Sequence, residues 1–299
     1  SKEKNNMSES FKILVPVGFS EQSLNALDQS LIFAKAVENA SITLLSVIEE
    51  GGLFSKMFSS SNNKEELREQ VNEKLKELSA KYQAEHNIPF NTMIAEGVVY
   101  EEIARVSSLI DANLVVMGTN GKPQNIRTRL IGSNAFRTVT LVKPPVVTIK
   151  GVKNIDKVNT IIFPLLMDRH SKEKVGPTLE YARLFGAKVN VVAVKEEDTN
   201  MNILRGHVNQ VEKFIRDHGV ECEHKIIENP KRRGVVRNIL NYAYEHDGDL
   251  VVIIEDDGTD SISDLFLGNE VQSVIYHSDI PVMCITPKKV KYDAIWESF

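Results

Sequence analysis

The feature that most constrains this chain is that one pattern of strand, loop and helix is written twice. The first copy reads LVVMGTNG from Leu114 to Gly121, then Gly132-Ser133, then Pro145-Val146-Val147. The second reads LVVIIEDDG from Leu250 to Gly258, then Gly268-Asn269, then Pro281-Val282. The interval from Gly132 to Pro145 is 13 positions, and from Gly268 to Pro281 it is again 13. The 299 residues are about the length of two ordinary domains.

Within each copy, short apolar runs alternate with segments of helical periodicity. In the first copy the runs are Phe11 to Phe19, Ile42 to Ile48, Asn91 to Glu96, Leu114 to Gly118 and Val146 to Ile149. Leu24, Leu27, Leu31 and Ala34 recur at helical spacing, with Ser20 as the expected N-cap, because its hydroxyl can accept from an unpaired helix N–H. Further helices are expected over residues 64–86, 100–109 and 132–142, and a polar loop over 49–63. The second copy repeats the order from Thr160 to Thr286. Strands apolar on both faces and alternating with helices predict parallel sheets covered on both sides. The fold class expected is α/β, as two tandem doubly wound five-stranded parallel sheets with helices on both faces. The expected units are 7–150 and 157–289, with a tail at 290–299 carrying Trp296 and Phe299. The short joint between copies predicts that they pack together, with the final strands around Val147 and Val282 as contact edges.

Net charge is −5, so nothing global attracts nucleic acid or an anionic membrane. No apolar run approaches the roughly 20 residues that cross a bilayer, and the polar start lacks the apolar core of a signal peptide. Cys222 and Cys284 belong to no CxxC or Cys/His cluster, which argues against a zinc site or a disulfide framework. These features favour a cytoplasmic protein.

The stretch Gly118-Thr119-Asn120-Gly121, ten residues, then Gly132-Ser133 carries the candidate chemistry. Glycines after a strand let backbone N–H groups approach a phosphate, and a helix N-terminus adds unpaired N–H groups. Lys122, Arg127 and Arg129 add positive charge. The alternative is that these glycines only make turns, and spacing leaves both readings open.

With its opening ILVPV and following serine, its two-glycine loop, spacer and Gly-Ser, and its closing PVV strand, the chain resembles the universal stress protein family over nearly its whole length. In that family, binders hold ATP, and members pair through the last strand. The resemblance implies phosphate contacts at Gly118, Gly121, Gly132, Ser133 and Asn134, with Asn120 also among the nucleotide-binding residues. It implies adenine and ribose contacts near Pro16, Val17, Gly18, Val47 and Met117, with magnesium as the phosphate's counter-ion. Two departures stand out. Binders usually carry an aspartate two residues after the first-strand proline, where this chain has Gly18 and Leu166, and the spacer is ten residues rather than nine. In the second copy Glu255, Asp256 and Asp257 lie where a phosphate would sit, and like charges repel, so no ATP is expected there. A divalent cation on those carboxylates is the less favoured reading, and a solvated acidic loop the more favoured.

The basic run Lys231-Arg232-Arg233 reads as a solvated loop or an anion site, and His170 as a surface residue. Leu53, Phe54, Met57 and Phe58 are expected as exposed apolar residues of a lid or partner site, or as incidental hydrophobes of the loop. No catalytic residue is assigned: there is no nucleophile elbow, metalloprotease helix or full P-loop. The expected function is a stress-response regulator with an adenine nucleotide in the N-terminal domain, at most a slow ATPase. Its C-terminal domain is degenerate and forms the other half of an intramolecular pseudo-dimer. Association of two chains into a homodimer stays open, as does the identity of a protein partner. The alternative is a tandem scaffold that binds no nucleotide and acts through protein partners.

Overall fold

The computed structural model describes residues 10–50, 52, 54, 64–119, 134–151, 153–165, 175–195, 198–228, 234–254 and 273–285. The N-terminal half contains β1 (Phe11–Pro16), α1 (Glu21–Lys35), β2 (Ala40–Ile48), α2 (Lys64–His86), β3 (Phe90–Glu96), α3 (Val99–Leu109), β4 (Leu114–Gly118), α4 (Asn134–Leu141) and β5 (Val146–Ile149). The C-terminal half contains β6 (Thr160–Leu165), α5 (Val175–Phe185), β7 (Lys188–Lys195), α6 (Met201–Asp217), β8 (Cys222–Glu228), α7 (Val235–Glu245), β9 (Leu250–Ile254), a helical segment at 273–277 and β10 (Val282–Ile285).

The ten strands of the described residues form one sheet in the order β3-β2-β1-β4-β5-β10-β9-β6-β7-β8. Pairing is parallel within each half and antiparallel where β5 meets β10, with Val147 opposite Met283. The expected contact between the final strands is therefore the seam of the molecule. Consecutive strand residues enter opposite layers, as the pleat requires. Ile13 and Val15 join a core with α1, α2, α5 and α6, while Leu14 joins another with α3, α4 and α7. Each core is continuous across the seam.

Backbone contacts repeat between the halves at a constant offset. Val115 N–H donates to Pro145 (2.9 Å) and Val251 N–H to Pro281 (3.0 Å), and 251 minus 115 is 136. At the same offset, Asp111 and Asp247 both take left-handed φ, 51° and 50°. Asp tolerates that region because its short polar side chain bonds locally.

The seam is fastened by side chains as well as by strands. Phe33 of α1 meets Phe185 of α5 edge to face, with centroids 5.6 Å apart. The buried Gln29 carboxamide donates to Ile155 O (3.3 Å) and accepts from Ile155 N–H (3.0 Å), holding the connection to α1. Lys150 pairs with Asp279 at 3.0 Å, and Thr148 Oγ1 donates to Val282 O at 3.3 Å.

Candidate functional site

In an open α/β sheet the crevice lies at the carboxyl ends of strands where the strand order reverses. In the N-terminal half that point lies between β1 and β4, so Pro16, Val17, Gly18 and Gly118 come together there, with Val47 on the adjoining β2. Val47 and Met117 are buried in one layer, while the Val17 side chain lies in the other. Val17 thus faces the crevice through its main chain alone. Its N–H donates to Leu45 O (2.7 Å), and its carbonyl accepts from Ser46 Oγ (2.8 Å).

The turn from β1 into α1 is built from serines. Ser20 caps α1 as expected, its hydroxyl accepting from Ser23 N–H at 3.3 Å. Ser23 Oγ donates to Ser20 O (3.0 Å) and accepts from Gly18 N–H (3.3 Å). Between them Phe19 has φ +57°, a region that bulky residues enter at a cost. Its ring meets Phe54 edge-on at 6.0 Å, and Lys74 Nζ lies 4.8 Å from its centroid. Phe54 is only 4 % exposed and forms a small core with Leu67 and Val71, flanked by Phe19, Ile48 and Ile94. The expectation of an exposed Phe54 is therefore corrected: the carboxyl ends of β2 and β3 offered it an apolar seat, which sequence distance concealed. Leu53, Met57 and Phe58 lie outside the described residues.

Gly118 has a structural duty of its own. A Cβ there would come within 2.6 Å of the Gln22 carbonyl oxygen, so α1 can cross this close only over glycine. Thr119 is buried, with N–H and Oγ1 both directed to Ile149 O (2.9 and 3.4 Å). Asn134 opens the described part of α4, and its carbonyl accepts from Thr138 Oγ1 at 2.6 Å. Asn120, Gly121, Gly132, Ser133, Lys122, Arg127 and Arg129 lie outside the described residues. The same holds for Leu166, His170, Lys231 to Arg233, Glu255 to Asp257, Gly268, Asn269, Trp296 and Phe299.

Arg137 belongs to no motif in the sequence, yet it lies beside the site. It stands three residues after Asn134, one turn along α4, and so shares its face. Its Nη1 donates to Tyr100 Oη at 2.9 Å, and its guanidinium lies 5.0 Å from that ring's centroid. The legible signal was a cation in the first turns of the helix after the glycine loop. Its tether to Tyr100 was not legible, because the partner comes from α3. Among the described residues no group of three or more His, Cys, Asp or Glu side chains is placed to hold a metal, and no helix is long and apolar enough to cross a membrane. Both cysteines are buried thiols, and burial pushes that of Cys222 up to about 12.

The fold and crevice define a class: doubly wound α/β proteins in which two such sheets are joined through their last strands. The chain belongs to the universal stress protein family. The family model described as "Universal stress protein family" matches residues 10–150. A curated universal stress protein of Methanocaldococcus jannaschii is 30% identical over 144 residues, 48% of this chain and 83% of that protein. Two solved structures share the fold over nearly the whole length. A universal stress protein from Archaeoglobus fulgidus has TM-score 0.70 at 20% identity, covering 93% of this chain and 97% of that one. A functionally unknown protein from Pseudomonas aeruginosa PAO1 has TM-score 0.64 at 16% identity, covering 95% of each chain.

Proposed function

We propose that this chain is a stress-response regulator whose N-terminal unit, residues 7–150, binds ATP or another adenine nucleotide. On this reading its C-terminal unit, residues 157–289, is the degenerate half of a tandem repeat. The observation that carries the reading is the convergence of Pro16, Gly18, Val47, Met117 and Gly118 at the strand-order reversal, with α4 beginning at Asn134 beyond it. The apolar floor of Val47 and Met117 fits a purine. The Val17 and Thr119 amides are already spent on Leu45 and Ile149. Phosphate donors on this reading are therefore Gly121, Gly132, Ser133 and Asn134, with Arg137 one helical turn away to supply charge. Gly18 stands where binders carry an aspartate, so that position offers no carboxylate to a ribose hydroxyl, and its N–H is bonded to Ser23. That observation favours a second reading, a tandem scaffold that acts through protein partners without nucleotide.

Calorimetric titration of nucleotide-stripped protein with ATP and magnesium separates the two. The first reading expects one site per chain, lost in Gly132→Glu, because a carboxylate there repels phosphate. Failure to bind up to millimolar ATP would establish the scaffold reading.

A further inference from the structure

Phe19 follows Gly18 in the turn from β1 into α1, and its φ of +57° puts a bulky residue in the left-handed region. Such a conformation persists only where the surroundings over-determine it. Here they act on the ring. It packs, partly buried, against both the main core and the small core of Phe54, Leu67 and Val71. Phe54 meets it edge-on at 6.0 Å, and Lys74 Nζ lies 4.8 Å from its centroid. The main chain around it is bonded as well: Gly18 N–H donates to Ser23 Oγ at 3.3 Å, and Ser23 N–H to Ser20 Oγ at 3.3 Å. Rotation of Phe19 out of the left-handed region would swing Gly18 away from Ser23.

Phe54 is itself anchored. It is buried, and its seat is formed by Leu67 and Val71 of α2 with Ile48 and Ile94 near the carboxyl ends of β2 and β3. Ahead of it, Gly52 N–H donates to Glu49 O at 3.1 Å, and Glu49 Oε1 accepts from Val99 N–H, at the start of α3, at 3.4 Å. The two halves differ here. Residues 49–63 join β2 to α2, whereas residues 196–200 join β7 to α6. The half proposed to hold nucleotide is thus the one with the longer connection and its anchor.

We infer that Phe54 is a positioning residue for the nucleotide crevice: from its seat it holds the Phe19 ring, keeps Phe19 left-handed, and so fixes the turn that carries Gly18. The consequence for binding rests on the adenine-nucleotide reading, whereas the hold on the turn does not.

The test is amide hydrogen exchange on the full chain, beside titration with ATP and magnesium, for Phe54→Ala, Phe19→Asn and the double variant. In Phe54→Ala the Gly18 and Ser23 amides should exchange on the order of tenfold faster, while Val15 and Leu44, paired within β1 and β2, stay protected. ATP affinity should fall by a similar factor. Asn enters the left-handed region without such a partner, so in the Phe19→Asn background the effect of Phe54→Ala should largely vanish. Unchanged exchange at Gly18 and Ser23, equal acceleration at Val15, or a full effect in the Asn background overturns the proposal. So does an unchanged ATP affinity in Phe54→Ala when the parent chain binds ATP. If the parent chain binds none, the nucleotide reading fails, and exchange alone decides whether Phe54 holds the turn.

Discussion

The two halves share a backbone and differ in what they place on it. Equivalent amides reach equivalent carbonyls at a fixed offset, as Val115 to Pro145 and Val251 to Pro281 do. The fillings diverge. The N-terminal half spends serines on its first turn, with Ser20, Ser23 and Ser46 bonding the main chain from Val17 to Ser23. The C-terminal half carries Asn190 and Tyr242 in its interior. On its outer edge Glu212 engages both Arg216 and His224, and Lys188 reaches Glu223. The difference teaches that the frame is specified by main-chain pairing and apolar periodicity, which tolerate wide changes at strand ends and under helices.

The strongest way to break the comparison is at the seam. Phe33→Ala removes a 1 % exposed ring from the core shared by both halves, and should cost about 3–5 kcal/mol. Urea unfolding followed by circular dichroism should show one transition moving as a whole. Two separated transitions would mean that the halves are energetically independent.

Next is a contrast between glycines. Gly118→Ala sets a Cβ against the Gln22 main chain, which moves only with α1, and should destabilise by about 1–3 kcal/mol. Gly248→Ala meets the Ile162 side chain at 2.7 Å and the Ala243 carbonyl oxygen at 3.0 Å, a looser approach to main chain than the 2.6 Å at Gly118, and the equivalent N-terminal position is already Ala112. Its loss should be the smaller in the same unfolding assay, and reversal of that order would refute the packing argument.

The third contrast is alkaline. The Cys222 thiol is pushed up to about 12 from 9.0, first by burial and then by Glu212. The folded chain holds this proton after the unfolded chain has lost it. Its contribution is complete below about pH 9 and declines as pH rises toward 12. Cys222→Ala should flatten that decline in stability-versus-pH curves, although Tyr82, Tyr181 and Tyr242 are also raised and leave a residual slope. Phe90 occupies the corresponding place in β3, so no N-terminal thiol contributes. An unchanged slope in the variant would refute the assignment to Cys222.

The smallest effect is at Lys150. Its partly exposed pair with Asp279 is worth at most about 1 kcal/mol, and Lys150→Ala should shift the urea midpoint only slightly. A loss comparable to that of Phe33→Ala would mean that the pair, not the core, fastens the seam.

What was legible in the sequence was local or periodic. The Ser20 cap needs only three residues of context, and the strands were marked by their apolar runs. The pairing of β5 with β10 was legible from its end position in each copy. The long-range contacts were not. Gln29 gives no sign that its partner is Ile155, 126 positions away, and Phe54 gives none that Phe19 and Val71 enclose it. At the site, Gly118 was read for phosphate, while the fold shows what it does for helix packing. One small residue can serve either purpose, and spacing does not separate them.

The antiparallel seam between β5 and β10 has a consequence for how the chain can vary. When two identical copies assemble, every substitution enters twice and must suit both sides of the interface. Here the two sides are written at different positions of one polypeptide, so each can change alone. The covalent joint also holds them at an effective concentration on the order of millimolar, and dilution cannot part them. The joined chain can therefore alter one half while the other keeps its inherited chemistry, a division of labour that a symmetric pair is denied.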